Sequence, residues 1–261
     1  QMRMGNTWYL GTADAIFQNI YTLERERPSR VLILAGDHIY KMDYGAMVEY
    51  HASKGAVLTV ACVPVARKEA SQLGIAVVDP DNRITAFREK PKEDPPTIPG
   101  DAEHCLASMG IYVFNTDELV RRAVRDARRD GEHDFGRNVI PEMVQEGAHV
   151  FAYPFKDENK KEIPYWRDVG TLDSYYDANM DLIRPEPVFN LYDTTWPILT
   201  YIEQVPPAKF VHNEGGRLGR RGQALESLIA NGVIISGGTV ERSILAAQVR
   251  VNSFSHVSDS I

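Results

Sequence analysis

The sequence predicts an α/β protein with a mixed β-sheet, followed by the first coils of a parallel β-helix. Three observations lead to this prediction. Aliphatic runs alternate with segments of helical periodicity over the first two thirds of the chain, and turn residues join two of the runs into a hairpin. After about residue 208, short aliphatic triplets are broken at near-regular steps by Gly, Asn or Ser, as in coils that bury aliphatic residues on one another.

The first part of the chain predicts a strand, a helix and a second strand. Residues 11–26 carry apolar side chains at helical spacing, and Thr12 is available to cap the first turn. The run "RVLILAG", residues 30–36, is typical of a strand buried on both faces. Helical spacing returns in "YGAMVEYHASKG", and "AVLTVACV" is another buried strand. Elements of these lengths form a parallel crossover unit.

Later segments complete the first predicted domain. The turn formers "DPDN" predict a hairpin within "GIAVVDPDNRITAFREKP". The elements that follow are a strand in "LASMGIYVF", a charged surface helix in "TDELVRRAVRDARRD", a strand in "AHVFAYPF" and an amphipathic helix in "GTLDSYYDANMDLI". Prolines then mark a linker. We therefore expect a first domain over residues 1–183, a linker over 184–207 and a truncated β-helix over 208–261.

Composition limits the classes of partner and compartment. The 261 residues include 36 acidic and 29 basic side chains, and a net charge of -7 gives no support for binding nucleic acid or an anionic membrane. No run approaches the roughly 20 apolar residues of a membrane helix. Cys62 and Cys105 lie in apolar runs, which favours buried thiols in a reducing compartment over a disulfide. We expect a cytoplasmic protein with neither nucleic-acid nor membrane partners.

Two aspartates follow predicted strands. Asp37 comes after "RVLILAG", and Asp168 lies in "YWRDVGT" just before a helix. Ligands of open parallel sheets bind at the carboxyl ends of strands, and Mg²⁺ takes carboxylate together with phosphate oxygens. The alternative is that Asp37 caps a helix or lies solvated in a loop, and that Asp168 favours a helix N-terminus through its charge. His38 is expected to be a packed or hydrogen-bonded loop residue rather than a ligand.

A second group of candidate residues is suited to a sugar phosphate. In "FREKP", Lys90 would grip a phosphate and Glu89 would accept hydrogen bonds from sugar hydroxyls. Because side chains alternate along a strand, both face one ligand only if the strand ends or twists there, and a surface ion pair is the alternative. In "WYLGTADA", a Gly before a helix N-terminus allows backbone amides to approach a base or phosphate, unless the aromatic pair is simply part of the core.

Taken together and in order, these motifs resemble the bacterial ADP-glucose pyrophosphorylases, also called glucose-1-phosphate adenylyltransferases, over nearly the whole chain. Motifs that fit sugar nucleotidyltransferases in general are "GDHIYK", "FREKP" and "YWRDVGT". Motifs that point to the ADP-glucose branch are "GTADA", "SMGIYVF", "HDFG" and "PPAKF".

The resemblance implies a Rossmann-like nucleotidyltransferase catalytic domain with a mixed sheet, then a left-handed parallel β-helix. It implies that ATP and glucose 1-phosphate give ADP-glucose and pyrophosphate for glycogen synthesis. Asp37 and Asp168 would hold Mg²⁺, with Asp37 and Lys90 as the catalytic residues. Glucose 1-phosphate would contact Tyr9, Gly74, Glu89, Lys90 and Ser108, and the nucleotide would contact Gly11, Thr12, Ala13 and Asp37. The full-length protein would be a homotetramer under control of sugar-phosphate or nucleotide effectors.

The chain departs from the family pattern in three respects. The family's opening strand and Gly-rich triphosphate loop should precede Gln1, Leu10 stands where relatives commonly have a polar residue, and the β-helix stops early. We therefore expect this chain alone to be an inactive fragment. The alternatives are a related enzyme that makes UDP- or dTDP-glucose, and a non-catalytic regulatory subunit of the same family.

Overall fold

The computed structural model describes residues 8–158, 164–216 and 219–261. Up to residue 183 its elements are α1 (Thr12–Gln18), α2 (Ile20–Glu26), β1 (Arg30–Ile33), β2 (His38–Ile39), α3 (Tyr44–Ser53), β3 (Leu58–Ala66), β4 (Gly74–Val78), β5 (Ile84–Glu89), β6 (His104–Asn115), α4 (Thr116–Asp126), α5 (Ile140–Gln145), β7 (Val150–Pro154), β8 (Arg167–Asp168) and α6 (Leu172–Leu182). The strands that follow are β9 (Lys209–Val211), β10 (Gln223–Leu225), β11 (Leu228–Ile229), β12 (Ile234–Ser236), β13 (Thr239–Glu241), β14 (Ile244–Leu245), β15 (Arg250–Val251) and β16 (His256–Ser258).

The chain divides into two compact units. The first unit contains Gln1–Gly36 and Met42–Lys156, and the second contains Asp37–Lys41 and Asp157–Ile261. The segment that carries Asp37 therefore belongs to the same unit as Asp168 and the β-helix strands. The domain boundaries predicted from the sequence remain a prediction.

A mixed sheet forms the centre of the first unit, as the sequence predicts. Its strands lie in the order β5-β4-β6-β3-β7, and β1 also pairs with β6. Strands β3 and β7 are parallel, whereas β6 runs antiparallel to β1, β3 and β4. Because β1 and β3 both run antiparallel to β6, they are parallel to each other, with β6 between them. The predicted hairpin is the antiparallel pair β4 and β5.

Strand β1 is shorter and less buried than its apolar sequence predicts. It covers Arg30–Ile33, its first residue is exposed and the next three are half-buried, and Leu34 beyond it is 44% exposed. Within the described residues β1 pairs with β6 alone, along residues 112–115. The prediction of a strand buried on both faces was therefore wrong.

The long first helix predicted from periodicity is broken in two at Asn19. The backbone of Asn19 leaves the helical region, with φ -112° and ψ 12°, and its side-chain amide donates to the carbonyl of Ala15. Asn commonly bonds to nearby backbone in this way, and such bonds compete with helix continuation. The sequence therefore forms α1 and α2 as two helices of seven residues each.

Helix α4, predicted as a charged surface helix, buries part of its charge. Glu118 and Arg122 are buried and paired, with Arg122 Nε 2.7 Å from Glu118 Oε1, and Arg122 Nη1 also lies 2.6 Å from Glu146 Oε2 after α5. A buried charge is tolerated when a partner neutralises it. The apolar core beside it includes Leu58, Phe114, Leu119, Phe135, Ile140 and Met143.

The second unit contains the parallel coils that the triplets predict. Three small parallel sheets form, in the orders β10-β13-β16, β11-β14 and β15-β12-β9. Gln223 lies beside Thr239, and Thr239 beside His256, so these two coils advance by 16 and 17 residues. Val233, Ile235 and Val240 are buried inside them. The start of a parallel β-helix is therefore confirmed, and its left-handed sense remains a prediction.

Among the described residues, no helix has both the length and the apolar character needed to cross a membrane.

Candidate active site

The first candidate group surrounds Asp37 and Asp168 in the second unit. Strands β2 and β8 pair antiparallel with His38 opposite Asp168, and the amide of Val169 donates to the carbonyl of Asp37 at 2.9 Å. A Cβ built on Gly170 would lie 3.0 Å from Asp168 Oδ1 and 3.5 Å from Asp37 Oδ2. The two carboxylates therefore converge on one point, although the aspartates are far apart in sequence.

Asp37 is exposed rather than buried at a strand end. Its side chain is 60% exposed, because β1 ends at Ile33 and Asp37 lies in the loop just before β2. The Asp37 carboxylate therefore carries no large free-energy cost of burial. Asp168 Oδ1 accepts a hydrogen bond from the amide of Gly170 at 2.8 Å, which fixes the orientation of that carboxylate.

His38 and Trp166 flank the two aspartates. The rings of His38 and Trp166 meet edge to face with centroids 5.3 Å apart, and His38 Nε2 lies 3.6 Å from Asp37 Oδ1. The His38 side chain is 12% exposed. His38 is thus packed against an aromatic ring, as expected from the sequence, and gives Asp37 one fixed neighbour.

The donor set fits a hard cation that completes its coordination with phosphate. Two carboxylates lie side by side, and the described part of the chain has no group of three or more His, Cys, Asp or Glu that could hold a metal ion. Mg²⁺ is commonly bound by one or two carboxylates plus substrate phosphates and water, whereas structural zinc needs four protein ligands. Asp37 and Asp168 are therefore suited to a metal–phosphate complex.

The second candidate group surrounds Glu89 and Lys90 in the first unit. Strand β5 ends at Glu89, and Lys90 takes a left-handed backbone conformation with φ +48° immediately before Pro91. The residue before a proline is normally extended, so this conformation is strained. The left-handed conformation of Lys90 ends the strand, so the side chains no longer alternate between its two faces. Glu89 and Lys90 therefore line the same cleft, which has a volume of about 730 Å³.

Two glycines make room for the Glu89 carboxylate. A Cβ on Gly74 or on Gly136 would come within 2.7 Å or 2.5 Å of Glu89 Oε2. Burial raises the pKa of Glu89, and the charge of Asp134 raises it further, against the opposing effects of Lys90 and Arg137. The carboxylate is thus held in a tight, partly desolvated position at the cleft wall. Gly74 supports the cleft through Glu89 rather than by lining it.

The "GTA" residues make close contacts within the protein. A Cβ on Gly11 would overlap the carbonyl oxygens of Glu132 and His133, and the amide of Ala13 donates to the His133 carbonyl at 2.8 Å. The Thr12 hydroxyl donates to Asp134 Oδ2 and accepts from the Phe135 amide, both at 3.0 Å. Thr12 does not cap α1, contrary to prediction, because its hydroxyl is used here.

Tyr9 and Ser108 occupy different places. Tyr9 lines the cleft, and its hydroxyl accepts a hydrogen bond from Asn19 at the break between α1 and α2. Ser108 is buried in β6, where its hydroxyl accepts from the amide of Gly110 and bonds to Tyr112. The described structure thus assembles Tyr9, Gly11, Thr12, Glu89 and Lys90 around one cleft, while Ser108, Gly74 and Ala13 lie outside its lining.

Three further residues of this region were not singled out from the sequence. Asp134 and Arg137 line the cleft, and Arg137 is paired with Glu132. Asp134 Oδ1 caps the turn at Phe135–Val139 by accepting from the amides of Gly136 and Arg137. The third is Tyr112, whose pKa is raised by burial of its hydroxyl. An Asp two residues before a Gly in "HDFG" is the local pattern that could have indicated the cap.

Comparison with known proteins identifies the family of the chain. The family model described as Nucleotidyl transferase matches residues 2–184, and the model described as GlmU-like, C-terminal hexapeptide matches residues 206–261. The chain belongs to the nucleotidyl transferase family.

The relatives include proteins named glucose-1-phosphate adenylyltransferase, which confirms the resemblance seen in the motifs. The protein of Rhodopirellula baltica is 53% identical over 100% of this chain and 58% of its own length. The protein of Koribacter versatilis is 50% identical over 99% of this chain and 61% of its own length. Glucose-1-phosphate adenylyltransferase 2 of Vibrio cholerae is 51% identical over 100% of this chain and 64% of its own length. The chain thus spans about three fifths of the length of the relatives it matches.

Proposed function

We propose that the complete protein transfers the adenylyl group of ATP to glucose 1-phosphate, giving ADP-glucose and pyrophosphate for glycogen synthesis. The observation that carries this proposal is the convergence of Asp37 and Asp168, in a nucleotidyl transferase whose relatives at about half identity are named for this reaction. This pair is suited to a metal–nucleotide complex, and the cleft at Lys90 is suited to a sugar phosphate.

The cleft at Lys90 would bind and orient glucose 1-phosphate. The Lys90 ammonium would pair with the phosphate, and the Glu89 carboxylate would accept hydrogen bonds from sugar hydroxyls. Tyr9 lines the same cleft and offers an aromatic surface for the sugar. Since Glu89 sits rigidly between Gly74 and Gly136, its contribution is to position the sugar rather than to move.

The transfer makes one P–O bond and breaks another. A phosphate oxygen of glucose 1-phosphate attacks the α-phosphorus of ATP, and the bond to the β-phosphate breaks with pyrophosphate as leaving group. Asp37 and Asp168 would hold Mg²⁺, which offsets the negative charge of the triphosphate and of the leaving group. The protein's part is mainly to align the two anions and to keep the carboxylate pair in place.

We also propose that the complete protein is a cytoplasmic homotetramer controlled by sugar-phosphate or nucleotide effectors. The motif resemblance to the family implies the tetramer and the effectors, and the two buried free thiols, Cys62 and Cys105, fit a reducing compartment. Sedimentation of the full-length protein, with and without sugar phosphates, tests the oligomer. A monomer that no effector influences would contradict it.

The proposed reaction is tested by pyrophosphate release from the full-length protein with glucose 1-phosphate and ATP, UTP or dTTP. We expect ATP to be preferred by about tenfold or more in kcat/KM, roughly 1.4 kcal/mol of transition-state preference. A tenfold preference for UTP or dTTP would assign the protein to a different sugar nucleotide. An inactive protein that changes the activity of an active homologue would instead favour a regulatory subunit.

A further inference from the structure

Lys41, two residues after β2, is buried to an unusual degree. Its side chain is 2% exposed, although lysine ammonium groups almost always reach solvent. Removing an ammonium from water costs several kcal/mol unless partners replace the lost hydration. An apolar side chain would fill the same space without that cost, so the ammonium contributes something other than packing.

Three groups from residues 189–193 surround the Lys41 ammonium within the second unit. Its Nζ donates to the carbonyl of Asn190 at 3.1 Å, lies 3.6 Å from Asp193 Oδ2 and lies 5.7 Å from the centre of the Phe189 ring. Asp193 is itself fixed, since its Oδ1 accepts from both the amide and the hydroxyl of Thr195. The lysine therefore ends in a preformed pocket of the segment that follows α6.

The backbone around Asp37 is held by a short ladder and by backbone hydrogen bonds at both of its ends. Strands β2 and β8 pair over two residues only, and the segment is further tied by Val169 to the Asp37 carbonyl and by Glu158 to the Lys41 carbonyl. A two-stranded ladder so short is marginal by itself. The Lys41 side chain adds an attachment in a different direction, four residues from Asp37.

We propose that Lys41 is a positioning residue for the Asp37–Asp168 pair. By binding residues 189–193, its side chain fixes the position of residues 37–41 and thereby keeps the Asp37 carboxylate beside that of Asp168. The proposal rests on the proposed function, because it assigns a purpose to the carboxylate pair. Nζ is occupied by Asn190, Asp193 and the Phe189 ring, so Lys41 acts through Asp37 and not on the substrate.

The test uses the full-length protein with Lys41→Met, Lys41→Arg and Asp193→Asn, and with exposed Lys68→Met as the matched control. Two quantities are measured: the Mg²⁺ concentration for half-maximal pyrophosphate release, and Mn²⁺ binding by electron paramagnetic resonance. We expect Lys41→Met to raise the Mg²⁺ requirement and weaken Mn²⁺ binding by about tenfold, the size of effect seen when partners of metal ligands are removed. The KM for glucose 1-phosphate should stay within about twofold, Asp193→Asn should act in the same direction, and Lys41→Arg should restore part of the loss.

Lys41→Met leaves the Asp193 carboxylate without its ammonium partner and could therefore fail to fold. A double variant that removes both charges keeps the test decisive in that case. The double variant Lys41→Met/Asp193→Leu should fold and still show the raised Mg²⁺ requirement. Wild-type metal dependence in this variant, or in a folded Lys41→Met, overturns the inference. If the wild-type protein releases no pyrophosphate, the proposed function fails, whereas the Mn²⁺ measurement still decides the role of Lys41.

Discussion

The carboxylates of Asp37 and Asp168 approach the same point above Gly170, at 3.5 Å and 3.0 Å from the position of a Cβ there. The pairing of β2 with β8 produces this arrangement, since it sets His38 opposite Asp168 and places Asp37 next to the pair. Neither aspartate is buried, so the site keeps two solvated carboxylates available to a cation.

Replacing Gly170 by Ala should weaken metal binding while leaving the fold intact. The added methyl would contact both carboxylates, whereas Gly170 itself is exposed. We expect the Mg²⁺ requirement of the full-length enzyme to rise about tenfold and the free energy of unfolding to change by no more than about 0.5 kcal/mol. Gly36→Ala, where a Cβ meets no atom within 4 Å, is the control. Equal Mg²⁺ requirements in the two variants would argue against a shared site.

Replacing Gly11 by Ala should displace the backbone that lines the cleft at residues 11 and 132. The new Cβ would overlap the backbone oxygens of Glu132 and His133, which cannot move aside as a flexible side chain can. We expect a loss of about 1–3 kcal/mol in unfolding free energy and a higher KM for glucose 1-phosphate. Urea denaturation and steady-state kinetics measure the two effects. Gly215→Ala, which has open space around it, should change neither, and an unaltered Gly11→Ala protein would refute the close approach.

Replacing Glu89 by Gln should stabilise the protein at neutral pH and impair it as an enzyme. Burial and the Asp134 charge raise the pKa of Glu89 above its unfolded value. Its contribution to stability is therefore present below the unfolded pKa of about 4.3 and is lost as the pH rises through the folded pKa. The neutral variant should have a higher Tm near pH 7.5, and its advantage should shrink on acidification.

Thermal unfolding across pH, together with the KM for glucose 1-phosphate, checks the Glu89 prediction. Exposed Glu93→Gln is the control and should leave both quantities unchanged. A Tm for Glu89→Gln below that of the wild type at neutral pH would contradict the prediction, because it would mean that the folded protein stabilises the ionised Glu89 carboxylate.

His51 should make the first unit sensitive to acid. Its Nδ1 lies 2.9 Å from Thr59 Oγ1 and its Nε2 3.1 Å from Asn115 Oδ1. Asn115 donates its amide to the Ala56 carbonyl, so Oδ1 is the acceptor and Nε2 of neutral His51 is assigned the proton. Burial lowers the pKa of His51. Its stabilising effect is therefore full above the unfolded pKa of about 6.5 and declines as the pH falls.

Urea denaturation at several pH values checks the role of His51. His51→Gln should cost about 1–3 kcal/mol near pH 8, because it disturbs buried hydrogen-bonding partners. It should also flatten the loss of stability between about pH 6.5 and pH 5, whereas exposed His149→Gln should follow the wild type. Parallel pH profiles for the wild type and His51→Gln would contradict this assignment.

Local chemistry made most of the fold predictable. The residues of the hairpin turn stabilise it themselves, since Asp79 Oδ1 accepts hydrogen bonds from the amides of Asp81 and Arg83. Strands β3 and β6 are mostly apolar in sequence and largely buried. The incomplete burial of β1 was not predictable in this way. Burial depends on neighbouring strands that lie far away in sequence, and β1 pairs with residues near position 114.

The candidate site was predictable by residue type but not by contact. The motifs identified Asp37, Asp168, Glu89 and Lys90. Because side chains alternate along a strand, Glu89 and Lys90 could face one ligand only if the strand ended or twisted there. The left-handed conformation of Lys90 meets that requirement. The buried pocket of Lys41 left no local pattern, because it joins residues about 150 positions apart.

The most direct test of the account is a double-mutant cycle at the two aspartates in the full-length protein. Mn²⁺ affinity and pyrophosphate release are measured for Asp37→Asn, Asp168→Asn and the double variant, with folding followed by circular dichroism. If both carboxylates hold one cation, each single change should cost at least about tenfold in affinity and about 100-fold in rate, and the double variant should lose little more. Two independent, additive losses, or a single variant that binds Mn²⁺ as the wild type does, would contradict a shared metal site.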